Sequence, residues 1–400
     1  MSQLLRERLL RSYYRMKAGY EVVDLGQEVQ IRSKRWGEAN VRLRPAADES
    51  WLFSFLCSLD GDRPLRELLE PVPEPSREEC LKLVAALRRE YLLETEFPSS
   101  PGSGAAAGDW SSRLFSLTMT AEHWYRSTLA GVHVLVVEAG ALGSRVASGL
   151  VQLGVGSVTI ADDRQVTHED KRLSPAFAAA SPGSPRSAEL ASYLNRISSI
   201  SPEPAVIYTK PSDPASLGEA VKAADFAILA SDVYSPRLAY EMNRLALQAG
   251  TRWTLILADG WDVYVGPTFL PGQTGCYRCL EDTLLSGSGT EGSFGAYREW
   301  LLETGKGEER LFTGSPAFAD TAAGLLLADL PNLLGVMPQR IEDESSLTLN
   351  RQLRIDFRTF DADLEPLIKL PRCECCGQRR PDYIGSEKTE YAGHGAYERV

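Results

Sequence analysis

The sequence lacks any uninterrupted apolar run of about 18 residues or more, so no membrane-spanning helix is predicted. Cysteine is sparse, seven in 400 residues. That is too few for a disulfide scaffold, so a cytoplasmic chain is expected whose cysteines serve a metal or a core. The opening stretch MSQLLRERLLRSYYRMK has neither the apolar centre nor the small-residue cleavage site of a secretory signal, and reads as a basic amphipathic helix. Positive charge is not in excess: 43 Lys and Arg stand against 54 Asp and Glu, a net charge of −11. That balance argues against a general nucleic-acid or membrane-surface binder. No internal repeat is found. What is present is an ordinary soluble composition, 43% hydrophobic and 24% charged, in a chain long enough for two or three domains.

The clearest linker is FPSSPGSGAAAGDW, residues 97–110, where Pro, Gly, Ser and Ala crowd together. It separates a small domain, 1–96, from a larger one, 111–377, followed by a polar tail, 378–400. A second Gly/Ser-rich stretch, 286–295, reads as an exposed loop. In the small domain YEVVDL, EVQIRS and NVRLRP alternate like strands. Asp48 is placed to cap a helix over ESWLFSFLCSL, Pro64 stands near the start of LRELLE, and Ser76 with Glu79 forms a capping box for a last helix. In that helix Cys80, Leu81, Val84, Leu87 and Tyr91 keep the spacing of one buried stripe. Three strands and three short helices make an α+β, winged-helix-like module. DNA binding is disfavoured: the last helix mixes Arg77, Lys82, Arg88 and Arg89 with Glu78, Glu79 and Glu90. Basic charge gathers instead in residues 1–44, with 10 Lys and Arg against 5 Asp and Glu, which leaves open a solvated face or a site for an acidic peptide.

GCYRCLE and PRCECCGQ place Cys276 with Cys279, and Cys373 with Cys376, at C-x-x-C spacing. Two such knuckles hold zinc tetrahedrally, with no position left open for water, so a structural zinc site is expected. Cys375 is read as a bystander, and Cys57 and Cys80 as core residues.

Residues 132–163, VHVLVVEAGALGSRVASGLVQLGVGSVTIADD, carry an apolar run, a glycine turn, a helix and a second apolar run with an acidic end. With the GSPRSAELASYLNRI helix, DFAILASDVYSPR and the two cysteine knuckles, the stretch from about 110 to 377 resembles the ubiquitin-activating, ThiF-type adenylating enzymes. The resemblance implies an α/β, Rossmann-like domain with structural zinc, and a homodimer. It also assigns a nucleotide site: Gly140 and Gly143 in the phosphate turn, Asp162 on the ribose, Arg186 in place of a phosphate-contacting lysine, Asp232 on Mg²⁺, and Arg113 as an arginine crossing to a partner. The pattern departs at two places. Glu138 stands where the turn has its first glycine, and Arg164 where a second acidic residue belongs. The Asn/Arg motif that embraces ATP is poorly matched by VTHEDKRLS, although Lys171 and Arg172 lie near it. A carboxylate ~4 Å from a phosphate charge repels it by about 4 kcal/mol at an intermediate dielectric, so a degenerate pocket is expected. No cysteine outside the knuckles lies in the crossover region where some members of that family carry a nucleophile.

Residues 18–96 are similar to the PqqD-like leader-recognition modules of ribosomal-peptide maturation, on the pattern VRLRPAADESWLFSFLCSLDGDRPLRELLEPV…LVAALRREYLLE. The resemblance implies that a leader peptide adds as a strand along Val41, Arg42, Leu43 and Arg44, opposite Lys82, Ala85, Arg88 and Arg89. The fusion of both parts resembles the ocin-ThiF-like partners of thiazole/oxazole peptide pathways. These bind the leader and present the core to a separate YcaO-type cyclodehydratase. An active adenylating enzyme using ATP, Mg²⁺, Asp232 and Arg186 on a peptide carboxylate is the alternative.

Overall fold

The structure, a computed structural model, describes residues 3–17, 19–33, 41–44, 51–90, 92–95, 122–199, 205–211, 213–287, 291–305, 312–335 and 346–377. Asp48, Tyr91, Arg113, the 97–110 linker and the 378–400 tail lie outside these residues.

The N-terminal part runs α1 (Gln3–Arg11), β1 (Tyr13–Met16), β2 (Tyr20–Asp24), β3 (Val29–Ser33), β4 (Val41–Leu43), α2 (Trp51–Cys57), β5 (Asp60–Pro64), α3 (Leu65–Leu68), α4 (Glu74–Arg89) and β6 (Leu93–Glu94). Two small sheets form, β5-β1-β6 and β2-β3-β4. Their shared core, from Leu9 to Leu93, buries Tyr14, Ile31, Phe55, Leu65, Cys80, Leu81, Val84 and Leu87. The stripe on α4 is therefore buried as its periodicity requires.

Several expectations are corrected here. The basic helix stops at Arg11, and Tyr13–Met16 is a strand paired with Asp60–Pro64. Pairing two short segments far apart in sequence overrides their local character. Helix α4 starts at Glu74, ahead of Ser76, with Pro73 at the N-cap position and Pro75 in the first turn. Proline's preset φ and missing N–H suit that turn, so the Ser76–Glu79 box is not used. Cys57 is exposed, not core, because it closes α2 on the face opposite Leu52, Phe55 and Leu56.

The C-terminal part is an α/β unit built on one mixed eight-stranded sheet, in the order β14-β13-β12-β11-β10-β7-β8-β9. Its strands are β7 (His133–Val137), β8 (Ser157–Ala161), β9 (Val206–Lys210), β10 (Phe226–Ser231), β11 (Arg252–Asp259), β12 (Asp262–Phe269), β13 (Arg351–Asp356) and β14 (Asp361–Pro366). Strands β9, β8, β7, β10 and β11 are parallel, and β12–β14 extend the sheet antiparallel. The helices are α5 (Glu122–Ala130), α6 (Ala141–Leu153), α7 (Asp170–Leu173), α8 (Arg186–Ser198), α9 (Pro214–Ala223), α10 (Pro236–Ala249), α11 (Tyr277–Gly287), α12 (Glu291–Thr304) and α13 (Pro316–Leu333). The run expected as an exposed loop thus contributes its last five residues to α12.

Alternation explains the layers. Val134 and Val136 face one core with α6, α8 and α13; Leu135 and Val137 face the other with α9, α10 and α11. Apolar residues on both faces of a central strand demand helices on both sides, which is the doubly wound solution. The strand order reverses between β7 and β10, and the crevice at their carboxyl ends is where such sheets take ligands. Among the described residues, no helix is long and apolar enough to cross a membrane.

Candidate functional site: a crevice filled by its own charges

At the end of β7 the chain turns through Glu138, Ala139 and Gly140 into α6. Glu138 has φ 67°, a left-handed conformation that costs a non-glycine residue about 1–2 kcal/mol. The glycines are needed for close approach. A Cβ on Gly140 would lie 1.9 Å from Asp232 Oδ2, and one on Gly143 1.9 Å from the Glu138 carbonyl oxygen.

Asp232, just past β10, accepts hydrogen bonds from the first amides of α6: Ala141 N–H at 2.7 Å and Leu142 N–H at 2.9 Å. These amides and the helix dipole are the usual seat of a phosphate. Here the protein's own carboxylate takes it, and burial pushes the Asp232 carboxyl up, opposed by those two N–H groups. Asp162, ending β8, accepts from Ala139 N–H at 2.7 Å and Arg164 N–H at 2.7 Å.

The departures from the family pattern meet one another. Arg164 Nη2 donates to Glu138 Oε1 at 2.5 Å, and Ser231 Oγ donates to Glu138 Oε2 at 2.7 Å. Arg186 donates to Asp170 through Nη2 at 2.7 Å and Nε at 3.2 Å. Its Nη1 is 3.8 Å from Asp162 Oδ2, an ion-pair separation without a hydrogen bond. Lys171 is engaged by the Ala180 carbonyl at 2.7 Å. The fold brings Gly140, Gly143, Asp162, Arg186 and Asp232 together, and Glu138, Arg164, Asp170 and Ser231 join them. The sequence reading missed Asp170 and Ser231. The signal available was that Glu138 and Arg164 are opposite-charge departures within one motif.

Glu138 is buried, and burial raises its carboxyl to about 7, offset in part by Arg164 and Ser231. The crevice holds four acids, and each of its two arginines faces a carboxylate. In this arrangement the first amides of α6 are occupied by Asp232, and Glu138, when ionised, adds charge of the same sign as a nucleotide's phosphates.

The second cluster is metal-binding in its chemistry. The Sγ atoms of Cys276, Cys279, Cys373 and Cys376 lie within 4.8 Å of one another. Cys276–Cys373 are 3.6 Å apart, Cys279–Cys376 3.5 Å and Cys276–Cys279 4.0 Å. A tetrahedral ion with bonds of about 2.3 Å to sulfur sets its ligands about 3.8 Å apart, so the four thiols fit such an ion. Cys375 is exposed and outside the set.

In the N-terminal part β4 pairs only with β3 among the described residues, matching Gln30 with Arg42. Arg42 and Arg44 are exposed, Val41 and Leu43 half-buried. Arg44 lies 3.9 Å from Glu28. On α4, Lys82, Arg88 and Arg89 are exposed and Ala85 packs on the core.

Comparison with known proteins agrees with this architecture. No curated protein matches the sequence. Among solved structures, E. coli MccB superposes with a TM-score of 0.63 at 16% identity, covering 96% of this chain and 99% of MccB. The microcin C7 biosynthetic enzyme MccB in complex with N-formylated MccA gives 0.63 at 17% identity, over 91% of this chain and 99% of that one. PaaA gives 0.63 at 18% identity, over 88% and 100%. Residues 116–299 match the model of the ThiF family.

Proposed function

We propose that this chain is an accessory protein of ribosomal-peptide maturation that binds a precursor's leader and does not adenylate it. The observation that carries the reading is the filled crevice: Asp232 on the amides of α6, Glu138 against Arg164, Asp170 against Arg186. The first domain is winged-helix-like and PqqD-like. The leader adds beside β4, with Arg42, Arg44, Lys82, Arg88 and Arg89 suited to an acidic segment. The core is presented to a separate YcaO-type cyclodehydratase, and the four cysteines hold a structural zinc. Linking leader-binding and docking surfaces in one chain raises the local concentration of peptide at that enzyme, which is a sufficient role. Two copies form a homodimer, and the protein acts in the cytoplasm.

A second reading has one observation in its favour, the likeness to MccB, whose structures include complexes with ATP and with AMPCPP and MccA. In it Asp232 serves Mg²⁺ and Arg186 the phosphates of an adenylating enzyme, which requires both to leave their present partners.

Peptide-dependent pyrophosphate exchange separates the two. None is expected; exchange abolished by Asp232→Ala would overturn the accessory reading. The leader site is tested by Arg42→Glu with Arg88→Glu, which should weaken an acidic leader's binding and leave metal content unchanged. Unaltered affinity would displace the groove.

A further inference from the structure

Two residues beyond Asp232, and unused by the crevice, Tyr234 begins a second polar cluster under α12. Glu281, buried on α11, accepts from Tyr234 Oη at 2.7 Å and Tyr277 Oη at 2.6 Å on Oε1, and from Tyr240 Oη at 2.5 Å on Oε2. Arg298, from α12, brings Nη1 to 3.5 Å of Glu281 Oε2. Its side chain is 10% exposed, yet Nε and Nη1 have no hydrogen-bond partner. The Phe294 ring, from the same helix, packs on Tyr234 at 5.6 Å between centroids.

The three hydroxyls explain why Glu281 does not satisfy the arginine. A carboxylate has about four acceptor sites; Oε1 takes two hydroxyls and Oε2 one, so a single site remains on Oε2, 3.5 Å from Nη1, and none is left for Nε. Burying unpaired guanidinium N–H groups is costly, and a fold that keeps such groups calls for an acceptor that satisfies them in the working molecule. Arginine only donates, so the ligand must bring an acceptor oxygen. Glu281 already balances the charge of Arg298, with the exposed Glu299 carboxylate 3.8 Å from Nη2, so a further carboxylate would bury uncompensated negative charge. A neutral carbonyl would not. The position agrees, since Tyr234 lies at the carboxyl end of β10, where open sheets take ligands.

We propose that Arg298, oriented by Glu281 and its three tyrosines, is a subsite for a main-chain carbonyl of an extended peptide, flanked by Tyr234 and Phe294. This rests on the peptide-binding reading above and places part of the peptide outside the N-terminal part.

The probe is acetyl-(Ser-Gly)₄-amide, blocked and uncharged, titrated into the metal-loaded full chain. The readout is the Nε–H resonance of Arg298, assigned by its loss in Arg298→Lys and, independently, in Arg298→Gln. Sodium acetate at equal concentration and ionic strength is the second arm. A saturable shift with the peptide and none with acetate is expected. A shift with acetate alone, or with neither, overturns the proposal. Metal content and melting temperature of both variants identify any loss of fold. The two readings fail separately, because pyrophosphate exchange would overturn the accessory role whatever this resonance does.

Discussion

Replacing Glu138 by glycine removes a carboxylate from the crevice and a side chain from a backbone position with φ 67°. Relief of that conformation returns about 1–2 kcal/mol. Arg164, with its side chain 30% exposed, loses the Glu138 carboxylate but remains within reach of water, and the Ser231 hydroxyl can turn to the Val233 carbonyl, 2.9 Å away. The variant should therefore fold with stability near that of the parent. Its nucleotide affinity should change more. A like charge ~4 Å from a phosphate is worth up to about 4 kcal/mol at an effective dielectric near 20, roughly a thousandfold in Kd. Arg164 offsets part of that in the parent, where the Glu138 carboxyl is raised to about 7 and is ionised mainly above that pH, and Asp232 still occupies the helix amides in the variant, so at least about a tenfold gain in Mg·ATP affinity is expected at about pH 8. Calorimetric titration of both proteins, with melting curves as a check on fold, measures it. A folded variant with unchanged affinity, or a parent that already binds micromolar nucleotide, would refute the electrostatic account.

Two further outcomes follow from the same contacts. The Glu138 carboxyl is raised in the fold from 4.5 to about 7, so the native state holds a proton that the unfolded chain releases. Stability contributed by that proton is complete below about 4.5 and is lost as pH rises to about 7, a change of at most about 3 kcal/mol. The stability of the parent relative to Glu138→Gln should fall across that window in denaturant titrations and level off above it; a flat difference would contradict the burial of an ionisable group there. Stripping metal with a chelator, or substituting Cys279→Ser, should lower the melting temperature and release one equivalent of ion per chain by mass spectrometry, because a closed four-thiolate site couples binding to folding. Unchanged melting with no metal detected would leave the cysteines as core residues.

The central strands were legible because apolar runs such as HVLVV and FAILAS are buried on both faces and need no partner to be recognised. The cysteine knuckles were legible because their spacing is itself the ligand geometry. What sequence reading missed depends on distant pairing. Tyr13–Met16 is locally compatible with the helix before it and becomes a strand only through Asp60–Pro64. The Gly/Ser content of 286–295 conceals the start of α12, which is held in place by contacts such as Arg237 Nη2 with the Leu302 carbonyl at 2.7 Å. Glu138 and Arg164 are 26 residues apart, Arg186 and Asp170 are 16 apart, and in neither pair do the two residues share one helix or strand. Each residue was noticed as a departure or passed over. That the departures neutralise one another is a property of the folded crevice.

The cysteine cluster also orders events during synthesis. Cys276 and Cys373 are 97 residues apart, and between them lie α12, α13, β13 and β14. A growing chain therefore exposes the first knuckle, an open dithiol, long before the second is made. Until Cys376 leaves the ribosome the four thiols cannot be brought together, and Cys276 and Cys279, just before and within the first turn of α11, wait without the second pair. A chain truncated anywhere before residue 376 would lack the fourth thiol, so the cluster can close only once nearly the whole domain has been made.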